Sequence, residues 1–568
     1  MPIASLLQTL QRWFRRSKTG RAPTRTASAE SLRQHSALFT REVIEVVPGV
    51  HVAVGFGLAN AILIEGEDGV IIVDTMESEA AAQEVKAAFC AITSKPVRAI
   101  IYTHNHTDHI FGGHVMAGDD DPEVISHATT PEKIRTIVGI MRPTIVRRSL
   151  RQFGTLLDPA DRPNCGIGPE LRFDPNEAPR LLWPTVTFED RLERTIAGVR
   201  LELIHAPGET PDQIAIWLPD HRALLPADNI YQTFPNLYAI RGTAYRDVMA
   251  WVRTLDILRA FQAEHLIPCH TRPLSGADRI ETTLRNYRDA IQFVHDQTIR
   301  RINQGMPLDA IVQAIQLPPH LAADPWLQEH YGRVDWSVRA IYHGYLGWFE
   351  EDAAFLSPLP AAERATRMER LVGGRDLLLK AAREAIRGGD LRWGLELLSH
   401  LLTLEPTHDE GRQLRAQALR GLAAEETSAN GRNYYLTQAL EATGDLTIPK
   451  LDPSISARRL LDDIPVDLLM RSMPPSLDAD ACLDDTIALG LYFTDTDQAY
   501  SLTIRRGVAE LAPRHSDTVD ARLTTTTRIW KELLTGMRNP GLTLAGPQVT
   551  LEGSRTALVR ALLWFKPA

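Results

Sequence analysis

The sequence predicts a layered α/β unit, then an all-helical region, then a small α+β unit. Three observations carry this. Residues 43–74 hold four short apolar runs at strand spacing, and a helix and a further strand follow over 78–102. From 280 to about 443, apolar residues recur at helical spacing almost without pause. From 454 on, helical stretches give way to strand-like runs at 487–494 and 499–504, and a helix over 554–565 closes the chain.

The 568 residues suffice for three or four domains of roughly 100–200 residues each. A net charge of −9 provides no basic field for nucleic acid. The four cysteines, Cys90, Cys165, Cys269 and Cys482, are too few and too scattered for a disulfide framework or a cysteine zinc site. They read as free thiols. No apolar run reaches the roughly 18 residues that span a bilayer. In residues 1–16 the basic residues follow the apolar ones, the reverse of a secretory signal, so a cytoplasmic location is expected. Leu6, Leu7, Leu10, Trp13 and Phe14 fall at helical spacing. This is either a short helix making weak membrane-surface contact or a terminal helix packed on the chain itself. Residues 17–40, rich in Ser, Thr and basic groups, read as an arm or linker.

The elements of the first half are predicted in order. Strands cover 43–47, 50–54, 61–66 and 70–74, with Glu67-Asp68-Gly69 as a hairpin turn. A helix covers 78–91 and a buried strand 97–102. Residues 114–185 are less regular, with helical stretches at 131–152 and a loop at 159–169; a long insertion of this kind often walls a substrate site. Strands follow at 199–205, 214–218 and 222–226, a helix at 244–265 and a strand at 266–270. The unit closes near 275. Residues 390–406 read like a tetratricopeptide-type helix with its terminal proline, but one such unit is not a solenoid.

Directly after the strand at 97–102 stands Thr103-His104-Asn105-His106-Thr107-Asp108-His109, followed by Gly112-Gly113. The chain has 18 histidines, and three of them fall within six residues here. A turn points His104 and His106 the same way, and Asp108 and His109 reach a neighbouring ion. Imidazole suits zinc, copper, iron or nickel; an added carboxylate oxygen tolerates zinc, iron or manganese. Glu209, Asp228 and His270 each follow a separate predicted strand, at the end where ligands gather in layered α/β folds. The ligand supply therefore exceeds four and suggests two ions.

The pattern H-x-H-x-D-H resembles the signature of the metallo-β-lactamase superfamily, which implies an αββα sandwich. Most relatives carry a P-G-H-T turn; here it reads Pro207-Gly208-Glu209-Thr210. That carboxylate resembles the zinc-dependent alkylsulfatase branch. So does Asn236-Leu237-Tyr238-Ala239-Ile240-Arg241-Gly242, which is similar to an N-L-x-x-x-R-G stretch there. The 57–60, 64–66, 164–169 and 337–349 stretches also look like that family.

The resemblance implies two Zn2+ ions per chain. It places His104, His106 and Glu209 on the first, Asp108, His109 and His270 on the second, and Asp228 as the bridge, where the family has Glu. It assigns Asn236 and Arg241 to the sulfate group, making them catalytic together with Asp108. His205 is expected to be structural, and His114 is expected not to be a ligand. The implied activity is hydrolysis of alkyl sulfate esters to alcohol and inorganic sulfate by a metal-activated water. The implied architecture is an arm (1–40), a catalytic domain (41–279), a helical domain that makes a homodimer (280–443) and a sterol-carrier-protein-like domain (454–568).

One departure bears on mechanism. The family's proposed general acid is a histidine where Trp336 stands here, and tryptophan cannot protonate an alkoxide. Either His330 or Tyr331 supplies the proton, or the C–O bond breaks and none is needed, which makes secondary alkyl sulfates plausible substrates. Two other readings compete: a thioesterase, lactonase or phosphodiesterase on the same fold, and a lipid-binding protein over a vestigial site. The glutamate turn and the Asn236/Arg241 pair speak against the first. The complete ligand set speaks against the second.

Overall fold

The computed structural model describes residues 25–173, 180–450, 465–534, 536–544 and 546–565. The expected surface contact of residues 1–16 lies outside the described residues, as do residues 451–452 at the end of the expected boundary at 445–452.

A seven-stranded sheet runs in sequence order: β1 (Glu42–Val47), β2 (Val50–Val54), β3 (Ala61–Glu65), β4 (Val70–Val73), β5 (Val97–Ile101), β6 (Glu123–His127) and β7 (Val186–Phe188). The first four pair antiparallel and the last three join in parallel. Helix Glu79–Cys90 makes the β4–β5 crossover, and Ser78 caps it by accepting from the Ala81 N–H. A second sheet holds β8 (Arg191–Ile196), β9 (Val199–His205), β10 (Ile214–Leu218), β11 (Ala223–Leu225), β12 (His265–Leu266) and β13 (Leu274–Ser275) in the spatial order β13-β12-β11-β10-β9-β8.

Strand alternation assigns the faces. Ile62, Ile64, Ile71 and Val73 enter the core between the sheets, against Leu203, Ile216 and Leu225. Their neighbours Ala61, Leu63, Val70 and Ile72 face outward onto Val85 and Phe89 of the crossover helix. The outer face of the second sheet is covered by helices Val248–Ala260, Ala277–Ile302 and Val334–Leu346 in one continuous core. This is a helix-sheet-sheet-helix sandwich. The expected division at 279 falls inside that last core, so packing does not pause there.

Helices Ala361–Val372, Arg375–Arg387, Leu391–Leu404, Asp409–Glu425 and Ala429–Thr443 form an antiparallel array with its own core. A third sheet, β16-β15-β14-β17-β18, spans Thr486–Phe493 (β14), Gln498–Arg505 (β15), Val508–Ala512 (β16), Ala521–Thr525 (β17) and Thr550–Gly553 (β18). Helices Val466–Ser472, Thr527–Leu534 and Arg555–Leu563 pack on it. Among the described residues no helix is long and apolar enough to cross a membrane.

Several local expectations are corrected. Within the expected arm, Arg25–His35 is α-helical and Ser36–Phe39 continues as 3-10 helix. Its Leu32 carbonyl accepts from Asn164 Nδ2 at 2.7 Å, which ties the arm to the insertion. The helix expected over 244–265 is Val248–Ala260: Asp247 caps its start, and Gln262 turns left-handed just past its end. The strand at 266–270 shrinks to His265–Leu266, since Pro268 has no N–H for the ladder. β6 lies in the stretch that looked irregular, and β7 and β8 lie between it and the strand expected at 199–205.

Candidate active site

The strand ends bring the site together. β5 delivers the histidine loop, β9 the Glu209 turn, β11 Asp228, and the segment after β12 delivers His270. Four non-glycine residues here have positive φ: Asp74 (58°), Met76 (75°), Ala227 (55°) and Thr271 (65°). Each lies within two residues of Asp74, Asp228 or His270. Such backbone costs about 1–3 kcal/mol per residue and persists where packing over-determines it. In the Glu209 turn, glycine is required at 208 because a Cβ there would collide with Asn229 Oδ1 and press on the Trp251 ring.

Three groups of ligand-type atoms lie within 4.8 Å of one another: Asp74, His109 and Cys269 form one, behind the site, and two hold only expected residues, namely His104, His106 and Asp228, and Asp108, His109 and His270. Asp228 Oδ2 stands between these two, 3.7 Å from His104 Nε2, 3.6 Å from His109 Nε2 and 3.2 Å from His270 Nε2. Asp108 Oδ2 lies 3.4 Å from His109 Nε2 and 3.5 Å from His270 Nε2. Glu209 joins neither group. It is held by Arg246, whose Nη1 sits 2.5 Å from Oε1, with both side chains buried.

The electrostatics follow from burial and crowding. Burial, with His109 nearby, pushes His104 down to about 4. Burial and His104 push His106 well below its usual range. For Asp228, burial works upward, but His270, His109 and His104 outweigh it and hold the carboxyl well below the ordinary range. His109 goes the other way: burial opposes its charge, yet Asp108, Asp74 and Asp228 raise it well above normal.

The residues fit a metal centre. His109 Nε2, His270 Nε2, Asp228 Oδ1 and Glu209 Oε2 are buried without a hydrogen-bond partner among the described residues. Leaving one such atom unpaired costs about 1–3 kcal/mol, so four together need a common cause. Imidazole nitrogens and carboxylate oxygens in this mixture are a zinc-type donor set. The outer nitrogens are already committed: His109 Nδ1 lies 2.7 Å from Asp74 Oδ2, and His270 Nδ1 lies 2.9 Å from the Leu58 carbonyl. Each leaves Nε2 aimed inward.

A pocket opens onto these groups. His106, Asp108, Glu209, Asp228, Arg241 and Tyr331 line its floor. Phe111, Ile137, Ile145, Val146, Leu150, Phe153, Ile167, Leu171 and Phe173 form an apolar wall, much of it on helix Arg142–Gln152. Arg241 Nη2 sits 3.1 Å from His106 Nε2. Asn236 is buried with both amide atoms lacking partners, and its backbone N–H donates to the Tyr231 hydroxyl at 2.9 Å.

The other expectations sort plainly. His205 Nε2 is 2.8 Å from the Pro211 carbonyl, and its ring stacks on His127 at 4.0 Å, a structural arrangement. His114 belongs to neither ligand group. His330 is turned away from the pocket: its Nε2 lies 2.8 Å from Ser31 Oγ, and burial pushes it down to about 3, so it is no proton donor there. Trp336 lines a separate groove with Leu237, Tyr238 and His343. Sequence reasoning missed four residues. Asp74 orients His109; Arg246 holds Glu209; Arg148 grips the Arg241 carbonyl at 2.6 Å; and Glu77 lines the pocket with its carboxyl raised to about 7 by burial. Only Asp74, at the end of a buried strand, carried a positional signal.

Family models match in three blocks: the metallo-beta-lactamase superfamily over residues 54–270, alkyl sulfatase dimerisation over 308–445, and the alkyl sulfatase C-terminal region over 454–568. A linear primary-alkylsulfatase from Pseudomonas sp. (strain ATCC 19151) is 37% identical over 84% of this chain and 92% of its own length. An (R)-specific secondary-alkylsulfatase from Pseudomonas sp. is 30% identical over 82% of this chain and 72% of its own. Among solved structures, the stereoselective inverting sec-alkylsulfatase Pisa1 from Pseudomonas sp. superposes with a TM-score of 0.88 at 26% identity, covering 95% of this chain and 87% of that one. With the ligand groups, the helical array and the third sheet all falling within these matches, the chain belongs to the alkylsulfatase family of the metallo-beta-lactamase superfamily.

Proposed function

We propose that the protein hydrolyses alkyl sulfate esters to an alcohol and inorganic sulfate, using two zinc ions. His104, His106 and Asp228 would hold one ion, with Glu209 completing its shell; Asp108, His109 and His270 would hold the other, with Asp228 shared. Zinc bound there would supply the acidity that brings a water's pKa to about 7. The chain's own residues do the rest. Arg241, which lines the pocket, and Asn236, whose buried amide atoms lack partners among the described residues, seat the sulfate; a guanidinium fork matches a tetrahedral oxyanion. Asp108, whose Oδ2 lies 3.4 Å from His109 Nε2 and 3.5 Å from His270 Nε2, orients the attacking water. The apolar wall receives the alkyl chain and excludes bulk water.

The observation that carries this reading is the pocket itself, which sets both ligand groups, Arg241 and a long apolar wall around one space. A lipid-binding protein would need the wall but not the ligand groups. We assign the homodimer contact to Tyr345, Leu346, Trp348, Phe355 and Leu356, all exposed and all within the block matched by the dimerisation model. We assign the third-sheet unit a sterol-carrier-like role in holding apolar chains. The test is sulfate release from C4–C12 alkyl sulfates in oxygen-18 water. Release by the zinc-loaded protein, lost on chelation, supports the reading; no release from any ester contradicts it.

A further inference from the structure

Breaking the S–O bond of an alkyl sulfate puts a full charge on an oxygen that is a poor leaving group. A donor placed at that oxygen is therefore needed. His330 and Trp336 both point elsewhere. Among the residues lining the pocket, Tyr331 stands apart. It shares the floor with Arg241, Asp108 and Glu209, and among the described residues nothing hydrogen-bonds its hydroxyl. Its backbone is fixed from the helical array, its carbonyl accepting from Ser428 Oγ at 2.7 Å and Asn430 Nδ2 at 3.3 Å. Its ring stands edge-on to Tyr231 at 5.8 Å and is 4% exposed. Glycine at 166, with φ +85°, leaves room for the ring, since a Cβ would come within 3.0 Å of it. Tyr231, by contrast, has its hydroxyl occupied by the Asn236 N–H.

We propose that Tyr331 is the proton donor to the departing alkyl oxygen. The water oxygen bonds to sulfur and the S–O(alkyl) bond breaks. Its electron pair stays on the alkyl oxygen, which takes the Tyr331 hydroxyl proton and leaves as the alcohol. The proton released by the attacking water restores Tyr331 through the water of the pocket, so ester plus water gives alcohol plus hydrogen sulfate. A phenol is protonated across the neutral range, so Tyr331 carries a proton to give. Glu77, also in the pocket, is less suited: its oxygens accept from the backbone N–H groups of Leu58 (3.2 and 3.3 Å) and Arg172 (3.1 Å).

The proposal rests on the sulfatase reading and on S–O cleavage. Its test uses the full-length, zinc-loaded protein, Tyr331→Phe, and two esters of equal chain length: octyl sulfate, and octyl sulfate with two fluorines beside the ester carbon. Phenylalanine keeps the ring contact with Tyr231. The fluorinated alcohol is more acidic and needs less help in leaving. The expected result is a loss in kcat of about 100-fold or more for octyl sulfate and a much smaller loss for the fluorinated ester, with KM little changed. Equal losses for both esters, or a loss confined to KM, would overturn it. So would oxygen-18 found in the alcohol, or a leaving-group-dependent loss in Glu77→Gln with none in Tyr331→Phe. Wild-type protein that releases sulfate from neither ester would instead sink the functional reading itself.

Discussion

Asp74 and His109 meet at 2.7 Å, fully buried, and that contact fixes which nitrogen of His109 faces the centre. Asp74 also accepts from the Thr103 N–H and hydroxyl, both at 2.9 Å, so one carboxylate anchors the start of the histidine loop and orients its last member.

Asp74→Asn should therefore weaken metal binding without unfolding the chain. Asparagine tolerates the positive φ at this position, so the backbone is preserved. Loss of such an outer partner typically costs 10–100-fold in metal affinity or activity. Competition with a zinc chelator reads this; an unchanged affinity would remove Asp74 from the account.

Arg241→Ala should leave metal content intact while raising KM and lowering kcat for sulfate esters. A charge-assisted hydrogen bond to a buried anion contributes on the order of 2–4 kcal/mol. An effect below about twofold would place the anion elsewhere.

Ile145 lines the apolar wall without being fully buried. Ile145→Ala should weaken dodecyl sulfate by roughly 1 kcal/mol, about fivefold in kcat/KM, and leave butyl sulfate near wild type. Equal losses at both lengths would mean that the chain runs along another wall.

His35 and His330 pack ring to ring at 4.3 Å, where the N-terminal helix meets the insertion loop. Burial holds His35 at about 4 and His330 at about 3, both below the ordinary 6.5. The unfolded chain thus takes up protons near pH 6.5 that the folded chain refuses. Their contribution to stability is whole above about 6.5 and lost as pH falls towards 4 and then 3. His330→Gln should flatten the fall in Tm between pH 7 and 4. A slope identical to wild type would show that acid sensitivity arises elsewhere.

The proposed ligands were legible because chemistry concentrated them. His104 to His109 are contiguous, and Glu209, Asp228 and His270 each follow an apolar run whose end is easy to see. Arg246, Arg148 and Glu77 were not legible, since each acts through tertiary contacts that no local pattern encodes. β6 to β8 hid among mixed residues because only half of their faces are apolar. The helical arm at Arg25–His35 lacks a strong apolar stripe, and its order comes from tertiary contacts such as Asn164 to Leu32.

The proposed centre holds two ions, shares Asp228 between them and hydrolyses alkyl sulfates. The most direct measurement is titration of zinc into metal-stripped protein, counting bound ions and following sulfate release from dodecyl sulfate in the same samples. The expected result is about two ions per chain, activity that rises with occupancy, and loss of both tight binding and sulfate release in Asp228→Ala. Full sulfate release from the metal-free protein, or an Asp228→Ala variant that binds two ions as tightly as wild type, would contradict it.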